Sequence, residues 1–127
     1  YEGVVSFVFD QITSYGINAC PPLLVGIGIA GSAEVASKLS KKALLRPIGS
    51  HNHNPRGAAL ETMIEEGLNE IGLGPGGVTG RQSVLGVHIE QAGRHPATIA
   101  CWAHRRGLIK IDADLRYEVL SHKGAVL

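Results

Sequence analysis

Apolar side chains recur along this chain at two spacings, and the switches between them mark its elements. Val4, Val5, Val8 and Ile12 fall on one face at helical spacing, so residues 3–15 read as a helix that Gly16 ends. Their β-branched content leaves a strand open for part of this stretch. Leu23 to Ile29 is a short apolar run of buried-strand type. It is entered through Cys20-Pro21-Pro22, where two prolines hold the backbone extended and put the cysteine at a rigid corner. Gly26, Gly28 and Gly31 then allow a tight turn, and Ser32 is placed to cap a helix over 33–45. On that helix Val35, Leu39 and Leu45 fall to one side and Lys38, Lys41 and Lys42 to the other, with Glu34 in the first turn. Arg46-Pro47 ends it, and the polar, turn-rich stretch 48–54 reads as a loop.

A further helix starts with Asn54 as cap and Pro55 at its first position. Leu60, Ile64, Leu68 and Ile71 form its apolar stripe, and Gly72 stops it. After the glycine-rich loop 74–80, Leu85, Val87 and Ile89 alternate with Gly86, His88 and Glu90, the period of a half-buried strand. Ala97 to Trp102 reads as a second strand. Leu108–Ile111 and Tyr117–Leu120 read as two more, joined as a hairpin through Asp112-Ala113-Asp114. The pattern predicts an α/β fold, a mixed sheet flanked by helices, with residues 1–127 forming one domain.

Composition changes this picture little. At 44% hydrophobic and 18% charged, 127 residues suffice for one modest core. A net charge of +1 supplies neither a basic field for nucleic acid nor an acidic tail for a partner. No apolar run approaches the roughly 20 residues that span a membrane, and the first residues lack the basic region and cleavage site of a signal peptide. Two cysteines are too few for a disulfide scaffold, so the compartment reads as reducing cytoplasm. The chain begins with Tyr1 rather than Met and reads as a piece of something longer. Glycine is the outlier, 17 residues concentrated at 24–31 and 72–80, which points to special turns and close backbone approach.

Three constellations are candidates for chemistry. Gly26-x-Gly28-x-x-Gly31, between a strand and a helix, matches the dinucleotide fingerprint. That fingerprint also needs a second strand after the helix, ending in an acid, and here Arg46-Pro-Ile-Gly-Ser-His-Asn52 follows instead. A tight turn with helix packing is the better reading. His51-x-His53 would project both rings to one side on a strand, but in a loop, with no further ligand adjacent, it reads as solvated polar residues. Cys20 and Cys101 are the third. A buried cysteine is ordinarily a small hydrophobe. A thiolate ligand instead needs rigid placement and nearby positive charge, which the prolines after Cys20 and the arginines and histidines around Cys101 would supply.

Beyond these, the chain resembles a known family. Cys20-Pro-Pro, Val25-Gly-Ile-Gly-Ile-Ala-Gly-Ser32 and Ala36-Ser-Lys-Leu-Ser-Lys-Lys-Ala-Leu-Leu-Arg46 resemble class I fumarate hydratases and L-tartrate dehydratase alpha subunits. So do Leu73-Gly-Pro-Gly-Gly-Val-Thr-Gly80, Gly93-Arg-His-Pro-Ala97 and Cys101-Trp-Ala-His-Arg-Arg106, in the family's order and over nearly the whole chain. The resemblance implies the C-terminal portion of the alpha region of an oxygen-sensitive [4Fe-4S] hydro-lyase. Its substrate would be a small dicarboxylate: fumarate hydrated to malate leads, tartrate is second, and a non-catalytic scaffold of the same fold is the alternative. By motif, Cys20 and Cys101 would be two of three cluster thiolates, and His95 would contact substrate. The cluster's open iron would act as a Lewis acid on the departing hydroxyl. His95 would bond a carboxylate or hold a proton near neutral pH, and the glycine loops at 26–31 and 72–80 would bring amides to the dianion.

The third cysteine belongs to an earlier Cys-Gln-Asp-Thr-Gly motif that this chain does not contain. The catalytic base would come from a beta subunit or C-terminal domain, so the chain alone is expected to catalyse nothing. Cys101 also follows His95 by six residues, where the resemblance implies about twice that gap.

Overall fold

The computed structural model describes residues 2–19, 21–74, 80–93, 98–103, 107–111 and 117–121. Its elements are α1 (Glu2–Tyr15), a 3-10 turn (Gly16–Ala19), β1 (Leu23–Ala30), α2 (Ala33–Leu44), α3 (Pro55–Glu70), β2 (Val84–Gln91), β3 (Thr98–Ala103), β4 (Gly107–Ile111) and β5 (Tyr117–Ser121). The strands form one sheet in the order β2-β1-β3-β4-β5. β1 and β2 run parallel, and α2 and α3 lie in the crossover between them. The β1–β3, β3–β4 and β4–β5 pairings are antiparallel. The expected mixed sheet with helices is what the chain forms. Among the described residues no helix is long and apolar enough to cross a membrane.

Both predicted caps are made. The Ser32 hydroxyl accepts from Val35 N at 3.4 Å and the Asn54 side chain from Arg56 N at 3.0 Å, satisfying orphan amides of the first turns. α1 and α3 cover one face of the sheet. There Val8, Ile12, Leu60, Ile64 and Leu68 meet Val25, Ile27, Val84, Val87 and Ile89 in one core. α2 covers the other face, and here the structure corrects the sequence reading. Of Val35, Leu39 and Leu45, expected to line α2's apolar side, Leu39 packs partly buried against Ala30 and Ala36. Val35 and Leu45 are 43% and 85% exposed, and the fully buried side is Ala36, Ser40 and Ala43.

The reason lies in β1. A methyl on Gly28 would overlap the Ala36 carbonyl and stand 2.6 Å from Ser40 N, and one on Gly26 would overlap the Ser40 carbonyl. Helix and strand approach backbone to backbone, a distance that only glycine opposite small residues permits. Two of the three glycines of the fingerprint, Gly26 and Gly28, are thus occupied by packing.

β2 also departs from simple alternation. Leu23 pairs with Val84 but Leu24 with Gly86, so Leu85 is an extra residue in a bulge. It turns outward, while Val84, Val87 and Ile89 all reach the core. His88, opposite Gly26, lies on the α2 face and is buried rather than solvated. The strand is covered on both faces.

Candidate functional site

Cys20 and His95 lie outside the described residues, and Cys101 lies inside them. Cys101 carries a free thiol in the middle of β3, opposite Ile27 of β1, and is fully buried in the core formed with α1 and α3. Burial pushes its thiol up to about 12, with no opposing influence among the described residues. The arginines and histidines expected to ionise it, Arg94, His95 and residues 104–106, lie outside the described residues. In apolar surroundings a thiol stays protonated unless a metal binds it, and the register does not bring Cys101 to either end of β1. Nor do the described residues contain any group of three or more His, Cys, Asp or Glu side chains arranged to hold a metal ion.

The neighbours of the other two candidates fall at opposite ends of β1. Pro21 precedes its first residue, whereas Thr98, which opens β3, pairs with Ala30 at its last. Ala92, past the end of β2, bonds Ile29 O from that same end at 2.8 Å.

The sequence reading missed a buried polar lock on the outer edge of β2. Glu61, 2% exposed on α3, accepts from Arg46 Nη1 at 2.8 Å and from the Ile89 backbone N–H at 2.7 Å. Its second oxygen accepts from Asn52 N at 2.9 Å. The Ile89 carbonyl in turn accepts from Arg46 Nη1 at 3.2 Å and from the Asn52 side-chain amide. β2 is an edge strand, whose outward backbone groups need partners; at Ile89 three side chains replace a neighbouring strand. Glu90 extends the network to Lys42 at 3.2 Å and Arg46 at 3.7 Å.

Beneath this lock, His88 Nδ1 stands 3.1 Å from the Ala43 carbonyl. A carbonyl only accepts, so Nδ1 carries the proton. Burial, then the Arg46 charge, hold the His88 pKa below 6.5, against the Ala43 carbonyl, Glu61 and Glu65.

The lock fixes the loop that carries His51 and His53, whose side chains are exposed. At the other end of α3, Leu73 N donates to Ser83 Oγ, and Ser83 N and Val84 N donate to the Asn69 side chain, tying the chain before and after the loop 75–79 to the helix. Residues 75–79 themselves lie outside the described residues. Gly72 and Gly80 border a hollow there with Glu66, Glu70 and Arg81. Among the described residues its charged side chains are two carboxylates and one guanidinium, and the amides of 75–79 expected to meet a dianion lie outside them.

Comparison with known proteins agrees with the motif resemblance. Residues 1–110 match the family model described as "Fumarate hydratase (Fumerase)". The L(+)-tartrate dehydratase subunit alpha of Escherichia coli is 58% identical over 133 positions, taking in 100% of this chain and 44% of the relative. That of Shigella sonnei matches equally. A putative L(+)-tartrate dehydratase subunit alpha of Methanocaldococcus jannaschii is 46% identical over 122 positions, covering 90% of this chain and 43% of the relative. The chain thus spans less than half the length of these relatives.

Proposed function

The chain belongs to the fumarate hydratase (Fumerase) family, and on that footing we propose that it is the C-terminal part of the alpha region of a [4Fe-4S]-dependent hydro-lyase acting on a small hydroxy-dicarboxylate. The observation that carries this is the 58% identity to tartrate dehydratase alpha subunits along the entire chain. Of the two reactions the motifs leave open, the relatives' names favour L-tartrate over fumarate. Loss of a hydroxyl from one carbon and a proton from the next would leave the enol of oxaloacetate. A beta subunit or C-terminal domain would complete the site, with the proton-abstracting base, and the cytoplasm would supply reducing conditions for a thiolate-bound cluster.

Cys20 would be a cluster thiolate, placed where the chain enters β1. His95 would bond a substrate carboxylate. Cys101 occupies the motif position of a second thiolate, which its place in the core does not serve. A scaffold domain of the same fold, with structural cysteines, is the second reading, and the burial of Cys101 is what favours it.

The test is a graft. Residues 1–93 of this chain replace the matching residues of the E. coli alpha subunit, which keeps its own sequence from there on and is assembled anaerobically with its partner. Dehydration of L-tartrate above hydration of fumarate is expected. A folded, assembled graft that turns over neither substrate would leave the scaffold reading in possession.

A further inference from the structure

We infer that β3 is six residues too short to carry its cysteine to the end of β1 where Cys20 enters, so that Cys101 in this chain is a core residue and not a cluster ligand. The inference concerns the cluster of the proposed hydro-lyase and rests on that reading.

The register sets the distance. From Ala30↔Thr98 to Val25↔Ala103 each step back along β1 is one step forward along β3, with Cys101 opposite Ile27. β1 begins at Leu23, four steps further back and about 13 Å along the strand, and the Cys20 motif enters beyond it. Thiolates on one cubane stand within a cluster's width of each other, less than that separation. β3 cannot make up the difference, because it ends at Ala103, and Ala103 already pairs with Gly107 of β4.

Two lengths agree with the deficit. The E. coli relative aligns over 133 positions, six more than the 127 residues of this chain. The gap from His95 to Cys101 is six residues, half of what the motif resemblance implies. Six residues restored ahead of Cys101, with Thr98 kept opposite Ala30, would carry the cysteine past Leu23, to the end of β1 that the Cys20 motif enters. Six is an even number, so its side chain would keep to the same face of the sheet. Without them the thiol has Ile27 as its cross-strand partner and 0% exposure.

Two experiments test this. In the 127-residue chain, iodoacetamide labelling read by peptide mass spectrometry is expected to modify Cys101 about 100-fold more slowly in the folded state than in urea, as for a group reached only by opening. Labelling of the folded chain at the unfolded rate overturns the inference.

The second extends the graft into the E. coli alpha subunit from residues 1–93 to residues 1–111, with anaerobic addition of iron and sulfide to the assembled protein. The longer graft is expected to lose the brown absorbance near 400 nm that the shorter one retains. Six of the relative's residues placed between His95 and Cys101 are expected to restore it. Full absorbance in the longer graft without them overturns the inference, as does failure of the six residues to restore it. A colourless shorter graft counts against the hydro-lyase reading instead, which separates the two failures.

Discussion

Gly28 of β1 lies so close to Ala36 of α2 that a methyl group on residue 28 would overlap the Ala36 carbonyl and press on Ser40 N. Both obstacles are backbone, which no rotamer change removes. Gly28→Ala is therefore expected to force α2 off the sheet and lower stability by about 3 kcal/mol, the upper range for overpacking a close-packed contact. Gly3→Ala is the control. Nothing lies within 4 Å of a Cβ there, the residue sits in α1, and alanine is the better helix former. It should raise stability by about 0.5 kcal/mol. Urea midpoints of the two variants read both signs, and equal midpoints would contradict the packing argument.

The same contact shows what was legible in the sequence. α3 announces itself, because Leu60, Ile64 and Leu68 bury large side chains at regular spacing. α2 does not: the residues that face the sheet are Ala36, Ser40 and Ala43, and the larger Val35 and Leu45 point away. A hydrophobic stripe is a sign of burial only where the partner surface leaves room for it, and the room was set by glycines in another element. Glu61 carried a signal that charge obscured. It lies four residues after Gly57 and three before Ile64, both buried, hence inside the apolar stripe rather than beside it. His88 fell on the polar phase of an alternating strand, and only the second helix layer makes that phase interior. Cys101 was read from its sequence neighbours, whereas burial depends on which strand it faces.

Glu61 is expected to be indispensable for folding. Its carboxylate takes three hydrogen bonds, from Arg46, Asn52 and Ile89, in a nearly dry site. Glu61→Gln keeps the shape but removes the nearer of the two carboxylates on the Arg46 guanidinium, leaving Glu90 at 3.7 Å. Breaking a buried pair from one side costs about 3 kcal/mol. Glutamine offers one acceptor oxygen where the carboxylate has two, so one of the Ile89 and Asn52 amides loses its acceptor, and its hydrogen exchange should quicken. A stability loss with the Ile89 and Asn52 exchange rates both unchanged would mean that the ion pair matters and the lock on the backbone does not.

His88 predicts how stability responds to acid. Its pKa is held below 6.5 in the folded chain, by burial first and by Arg46 second, while Glu61 and Glu65 oppose the shift. Below pH 6.5 the unfolded chain takes up a proton that the folded chain refuses, so stability should fall as the pH drops through that range and be fully present above it. His88→Asn places an amide donor near the Ala43 carbonyl without a titrating ring, so its urea midpoint is expected to decline less between pH 7 and pH 5 than that of the unaltered chain. The direction is opposite to that of a histidine paired with a carboxylate, which would gain stability in acid. Parallel declines for the two proteins would assign the acid sensitivity to other groups and leave His88 as packing alone.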